Sequence, residues 1–402
     1  MKQRPAGALF GGRRTRAAML LAALLGGAFW MALPAAQDAG QAPAYRVDPF
    51  WPKPLPTLTD DDGLERQWVT GMVGASCIDS HDRVVTVNRG FLPNGLLPQE
   101  GSQSIPSPPV ILYDRAGNVA ASWGDPTLTE DGAAAVLPHG IHGCFVDEMD
   151  NIWIAGNSDG VVQKWTHDGS QMLLQIGTKG VCDGPPTLNP NAPHPTCGEP
   201  GFNSSRTLLN APADIAVDPN PDPVTGERGS VYIADGYGNH RIVVFDREGN
   251  YLRQWGSAGS GDGQFVEGGG GHPHCVVLGN DGLVYACDRG QNRIQVFDRE
   301  GNLQRIIPVD PAAYGEATLR ATDIELSRDP EQRHLFVVDL GSNRIWILER
   351  ASGDIVGSIG GSGHMAGEFT FPHTIVIDSQ GDLYAAETVG GRRNQKFTRV
   401  SD

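Results

Sequence analysis

The chain has 402 residues, with 53 glycines, 29 prolines and 7% aromatic residues. That mix suits many short strands joined by tight turns, in a unit larger than an ordinary domain. The formal net charge of −16 repels phosphate backbones and excludes nucleic acid as a natural partner.

The first 36 residues read as a targeting segment. Lys2, Arg4, Arg13, Arg14 and Arg16 make a basic start, residues 17–34 carry no charge, and Ala35 and Ala36 offer a cleavage site. Arg13-Arg14 resembles a twin-arginine signal, although the residues after it fit that pattern poorly. The alternative is an uncleaved anchor, since the apolar run is just long enough to span a bilayer. Only then is a membrane a partner. The expected location is periplasmic or secreted, where disulfides are permitted. Cys182 and Cys197 bracket a proline-rich loop. Cys275 and Cys287 lie on consecutive predicted strands, and Cys77 and Cys144 have only each other. None has the CxxC spacing of a zinc-thiolate site.

From residue 37 the chain repeats itself. Asp235-Gly-Tyr-Gly-Asn-His-Arg-Ile leads to Val243-Val-Phe-Asp-Arg-Glu-Gly-Asn250. Asp288-Arg-Gly-Gln-Asn-Arg-Ile leads to Gln295-Val-Phe-Asp-Arg-Glu-Gly-Asn302, and Asp339-Leu-Gly-Ser-Asn-Arg-Ile to Trp346-Ile-Leu. The Gly-Asn turns close hairpins because both residues tolerate positive φ. Each repeat predicts four antiparallel strands, which is the pattern of a propeller blade. Six blades are expected, centred near 70–123, 136–177, 209–256, 265–308, 318–360 and 369–400. Tyr45–Phe50 is expected to supply the outer strand that blade six lacks. The fold class is therefore an all-β six-bladed propeller over 37–402, expected to be a monomer. Two insertions, 91–109 and 177–208, should be surface loops.

The first strand of each blade lines the central channel. Its opening residues are Val73-Gly74, Pro138-His139, Pro212-Ala213, Pro273-His274, Ala321-Thr322 and Pro372-His373. Histidine falls in alternate blades, about 120° apart around a six-fold ring. His139, His274 and His373 are thus expected to converge as a three-histidine zinc site with a fourth position open. His142, His272 and His364 receive no role. The second strand ends at the same face. There Asn88-Arg89, Asp288-Arg289 and Asp235-Gly-Tyr237 put two arginines and a tyrosine at the mouth. Arginine suits a carboxylate-bearing substrate, and a tyrosine beside a cation can act as a base.

The motifs Val87-Asn-Arg-Gly90, Leu137-Pro-His-Gly140, Asp150-Asn-Ile-Trp153, Asp235-Gly-Tyr-Gly-Asn239, Gly263-Gln-Phe265, Asp288-Arg289 and Phe371-Pro-His373 occur in that order. With them the chain resembles the NHL-repeat propellers, and specifically the peptidyl-α-hydroxyglycine α-amidating lyase domain. The resemblance implies zinc on His139, His274 and His373, with Tyr237, Arg89 and Arg289 catalytic. It also implies calcium held partly by the backbone of Ser76 and Ile141, although the family's aspartate after the third histidine is Thr374 here. The family's half-cystine after the tyrosine is Gly238. The activity implied is cleavage of an N-acyl- or peptidyl-α-hydroxyglycine to a primary amide and glyoxylate. Two other readings stand beside it: a non-catalytic propeller that binds a protein or glycan, and a lactonase-type hydrolase.

Overall fold

The computed structural model describes residues 42–59, 62–92, 95–125, 133, 136–188, 194–267, 270–309 and 320–400. The expected targeting segment lies outside them. Among the described residues no helix is long and apolar enough to cross a membrane.

Alternating apolar residues build six four-stranded antiparallel sheets. Their innermost strands are Val73–Ile78, Ile141–Val146, Asp214–Pro221, Val276–Leu278, Ala321–Leu326 and Pro372–Ile377. The outer strand of blade six is Tyr45–Asp48, which pairs antiparallel with Arg393–Arg399, Tyr45 opposite Arg399. The N-terminal end of the propeller and its C-terminal strand therefore share one sheet, and no edge of blade six is left open there. A small sheet of Thr57–Thr59, Glu65–Val69 and Ile105–Pro106, with the short helix Pro98–Gln103, forms the first insertion.

The core is divided into six layers, one between each pair of neighbouring blades. Val85, Val87 and Trp123 of blade one meet Ile152, Ile154 and Trp165 of blade two. The same pairing continues around the ring to Phe336 and Val338 against Leu383 and Ala385 between blades five and six. Trp51, Val84 and Tyr113 against Val376 and Tyr384 close it. Period-two alternation explains the layering. In blade three, Val231 and Ile233 face blade two, while Tyr232 and Ala234 face blade four. Both faces of a blade are buried, so its second strand is apolar on both sides.

Three disulfides hold the inner and loop regions: Cys77–Cys144 between blades one and two, Cys275–Cys287 within blade four, and Cys182–Cys197 in the second insertion.

Candidate metal centre

A register shift marks the mouth end of the innermost strand in four blades. It falls between Val73 and Ala75, between Ala321 and Asp323, between Pro372 and Thr374, and opposite Ile154–Gly156 in blade two. Such a bulge re-aims the extra residue's side chain, here toward the channel axis. The residues at this position are Gly74, His142, Ala213, His274, Thr322 and His373.

The centre is thus built by His142, His274 and His373, whose ligand atoms lie within 4.8 Å of one another. Their ring centroids are 5.0, 4.8 and 5.1 Å apart, and all three side chains are buried. Each imidazole is oriented by the next blade. His142 Nδ1 meets the Ala213 carbonyl at 2.8 Å, His274 Nδ1 meets that of Thr322 at 2.6 Å, and His373 Nδ1 meets that of Gly74 at 2.7 Å. An Nδ1–H donated to a carbonyl fixes the tautomer and leaves Nε2 as a lone-pair donor. Burial, together with nearby cationic side chains, holds His142 and His274 well below the usual histidine range and His373 down to about 3. Three neutral nitrogens converging from three directions are the donor set zinc takes in an open site.

One expected ligand is corrected. His139 lies ahead of the strand, and its backbone N–H donates to the Asp159 carboxylate. Burial lowers its pKa, while Asp159 beside it acts in the opposite sense. In blades four and six proline directly precedes the ring position, but in blade two Pro138 comes three residues too early. A second marker was present in the chain. The aspartate that closes the first hairpin follows the ring position by five residues at Asp79, Asp147, Asp218 and Asp378. Counting back from Asp147 gives His142.

Tyr237, Arg89 and Arg289 do gather at this centre. The Tyr237 hydroxyl lies 2.9 Å from His142 Nε2 and 3.1 Å from His274 Nε2. The Arg289 guanidinium sits 5.7 Å from the Tyr237 ring centroid. Arg89 Nε donates to the Ile141 carbonyl at 2.5 Å. Arg89 Nη2 and Arg289 Nε are buried without a hydrogen-bond partner among the described residues. Neither guanidinium forms an ion pair among the described residues, and burial lowers the pKa of both. Two buried cations without a counter-ion favour an anion between them.

Of the two residues that the resemblance implies for calcium, Ile141 accepts through its carbonyl from Arg89 Nε, and the Ser76 amide donates to Thr374 Oγ1 at 3.1 Å.

Fold and centre together define a six-bladed propeller with three converging channel histidines. The NHL repeat family model matches residues 271–297. Human NHL repeat-containing protein 3 is 24% identical over 89% of this chain and 85% of its own length. Rat peptidylglycine alpha-amidating monooxygenase is 28% identical over 84% of this chain, which spans only 32% of that protein. Peptidyl-alpha-hydroxyglycine alpha-amidating lyase 1 of Drosophila melanogaster is 25% identical over 73% of this chain and 49% of its own. Among solved structures, a streptogramin B lyase aligns with a TM-score of 0.47 at 13% identity, covering 89% of this chain and 88% of its own, a likeness too slight to carry an argument.

Proposed function

We propose that the chain is a zinc-dependent lyase acting on N-acyl- or peptidyl-α-hydroxyglycine, releasing a primary amide and glyoxylate. The observation that carries this reading is the juxtaposition of three neutral imidazoles, one phenol and two guanidiniums that have no counter-ion among the described residues. Similarity to proteins named as amidating lyases supports it.

His142, His274 and His373 would hold the metal, which when bound supplies Lewis acidity at a substrate hydroxyl. Arg89 and Arg289 bind the carboxylate and fix the α-carbon over the histidine ring. Tyr237 is placed to take the hydroxyl proton. As that proton leaves, the C–O bond becomes C=O and the N–Cα bond breaks. Its electron pair departs on nitrogen, which takes back the proton that Tyr237 accepted and becomes the primary amide. The arginines then hold glyoxylate, and their charge offsets the negative charge that moves from the hydroxyl oxygen to the departing amide nitrogen as the bond breaks.

Purified protein loaded with zinc is expected to release glyoxylate from α-hydroxyhippurate, and a chelator is expected to stop it. Zinc-loaded protein that leaves the compound intact would sink the proposal. The three disulfides accord with an exported enzyme working in an oxidising compartment.

A further inference from the structure

The residue that follows the end of the second strand occupies one equivalent position in every blade: Arg89, Asn157, Gly236, Arg289, Leu340 and Thr388. In three of these blades a backbone bond shows the equivalence directly. Arg89 N donates to Met72 O at 2.9 Å, Asn157 N to Gly140 O at 2.9 Å and Thr388 N to Phe371 O at 3.1 Å. In each case the acceptor directly precedes the first residue of the innermost strand. Two of these six residues are the arginines assigned to the carboxylate.

Thr388 is a third polar member, and the proposed chemistry has not used it. The residue is 3% exposed, and its Oγ1 is buried with no hydrogen-bond partner among the described residues. A buried hydroxyl left unpaired is unfavourable, so it is expected to meet a polar ligand. Of the other members, Leu340 and Gly236 carry no polar side-chain atom, and Asn157 Oδ1 accepts from Ser158 Oγ at 3.4 Å. Arg89 Nη2, Arg289 Nε and Thr388 Oγ1 are therefore equivalent in origin and alike in lacking a partner. Thr388 shares its blade with His373. That blade adjoins the blade of Arg89, as the bond from His373 Nδ1 to Gly74 O shows.

We propose that Thr388 is a substrate-binding residue whose hydroxyl donates to the carboxylate held by Arg89. The inference rests on the reading of the centre as a site for α-hydroxyglycine compounds. It adds a specificity element that selects a free carboxylate over an ester or amide, because a neutral group would leave Arg89 and Arg289 uncompensated.

Hippurate is a suitable probe, since it has the carboxylate but no α-hydroxyl to react. Calorimetric titration of the zinc-loaded protein is expected to show about tenfold weaker hippurate binding for Thr388→Val and near-normal binding for Thr388→Ser. With α-hydroxyhippurate, Thr388→Val is expected to raise KM about tenfold, with kcat within about threefold. The melting temperature of Thr388→Val should not fall, because the hydroxyl has no partner inside the fold. Unchanged hippurate affinity in Thr388→Val overturns the inference. So does a Thr388→Ser variant as weak as Thr388→Val, or wild-type protein that does not bind hippurate. Thr388-dependent binding without glyoxylate release upholds the carboxylate contact and rejects the lyase chemistry.

Discussion

At the residue scale, the two histidines of Pro138-His139-Gly-Ile-His142 have opposite fates. His142 occupies the bulge and aims at the axis. His139 stays outside the strand, bound through its backbone to Asp159. Their substitutions should separate cleanly. His142→Ala is expected to lose stoichiometric zinc and to lower glyoxylate release by about 100-fold or more, beyond the range seen when only an outer partner of a ligand is removed. His139→Ala should keep its zinc and remain within about threefold of wild type. Metal analysis beside the assay checks both, and the reverse pattern would return His139 to the centre. Of the predicted site residues, His274, His373, Tyr237, Arg89 and Arg289 are gathered at the centre. Only the phase of blade two was misread, because proline spacing is a weaker guide than the hairpin aspartate.

At the element scale, the repeated Asp-Arg-Glu-Gly-Asn turn does more than reverse the chain. Asn302 N donates to Asp298 Oδ1 at 2.8 Å, and Asn250 N to Asp246 Oδ1 at 2.7 Å. Gly301 has φ +97°, and a Cβ there would meet the Trp255 ring of the preceding blade at 2.7 Å. Glycine is needed for its conformation and for the close approach of one blade to the next. Gly301→Ala is expected to destabilise the fold by roughly 1–3 kcal/mol through overpacking and backbone strain. Urea unfolding reads the loss. A variant as stable as wild type would show that the blades can slide apart at no cost. The turn motif was plain in the sequence, whereas its contact with Trp255 lies in another blade and needed the folded ring.

At the scale of the whole molecule, two features govern stability. Trp51 closes the ring, its indole tilted against Tyr384 of blade six at 4.9 Å and against Tyr113 of blade one at 5.6 Å between ring centroids. Trp51→Ala should cost about 3–5 kcal/mol, the usual loss for a buried large aromatic, and the shift in unfolding midpoint measures it. The second feature is the channel on the far side of the histidines, a cavity of about 460 Å³ that includes Asp214, Asp323 and Glu325 in its lining. Burial pushes Asp214 up to about 7, holds Asp323 well above its ordinary value with the help of the Asp214 charge, and raises Glu325. Between pH 4 and 7 the folded chain therefore keeps a proton on Asp214 that the unfolded chain has given up. Stability from this group is full below about pH 4 and is lost as the pH rises through 7. Asp214→Asn removes that dependence. Its melting temperature should gain on wild type between pH 5 and pH 8, by the equivalent of about 1 kcal/mol or more. A constant difference across that range would refute the assignment.

The sequence alone determined the number of blades, their order, the closing strand and the kinds of group at the mouth, since period-two alternation and repeated turns are local properties of the chain. The choice between His139 and His142 was legible in the spacing to Asp147, but only the tertiary structure decided which carbonyl orients each histidine and which hydroxyl is left without a partner. Those outcomes depend on contacts between strands of different blades, which spacing along the chain does not encode.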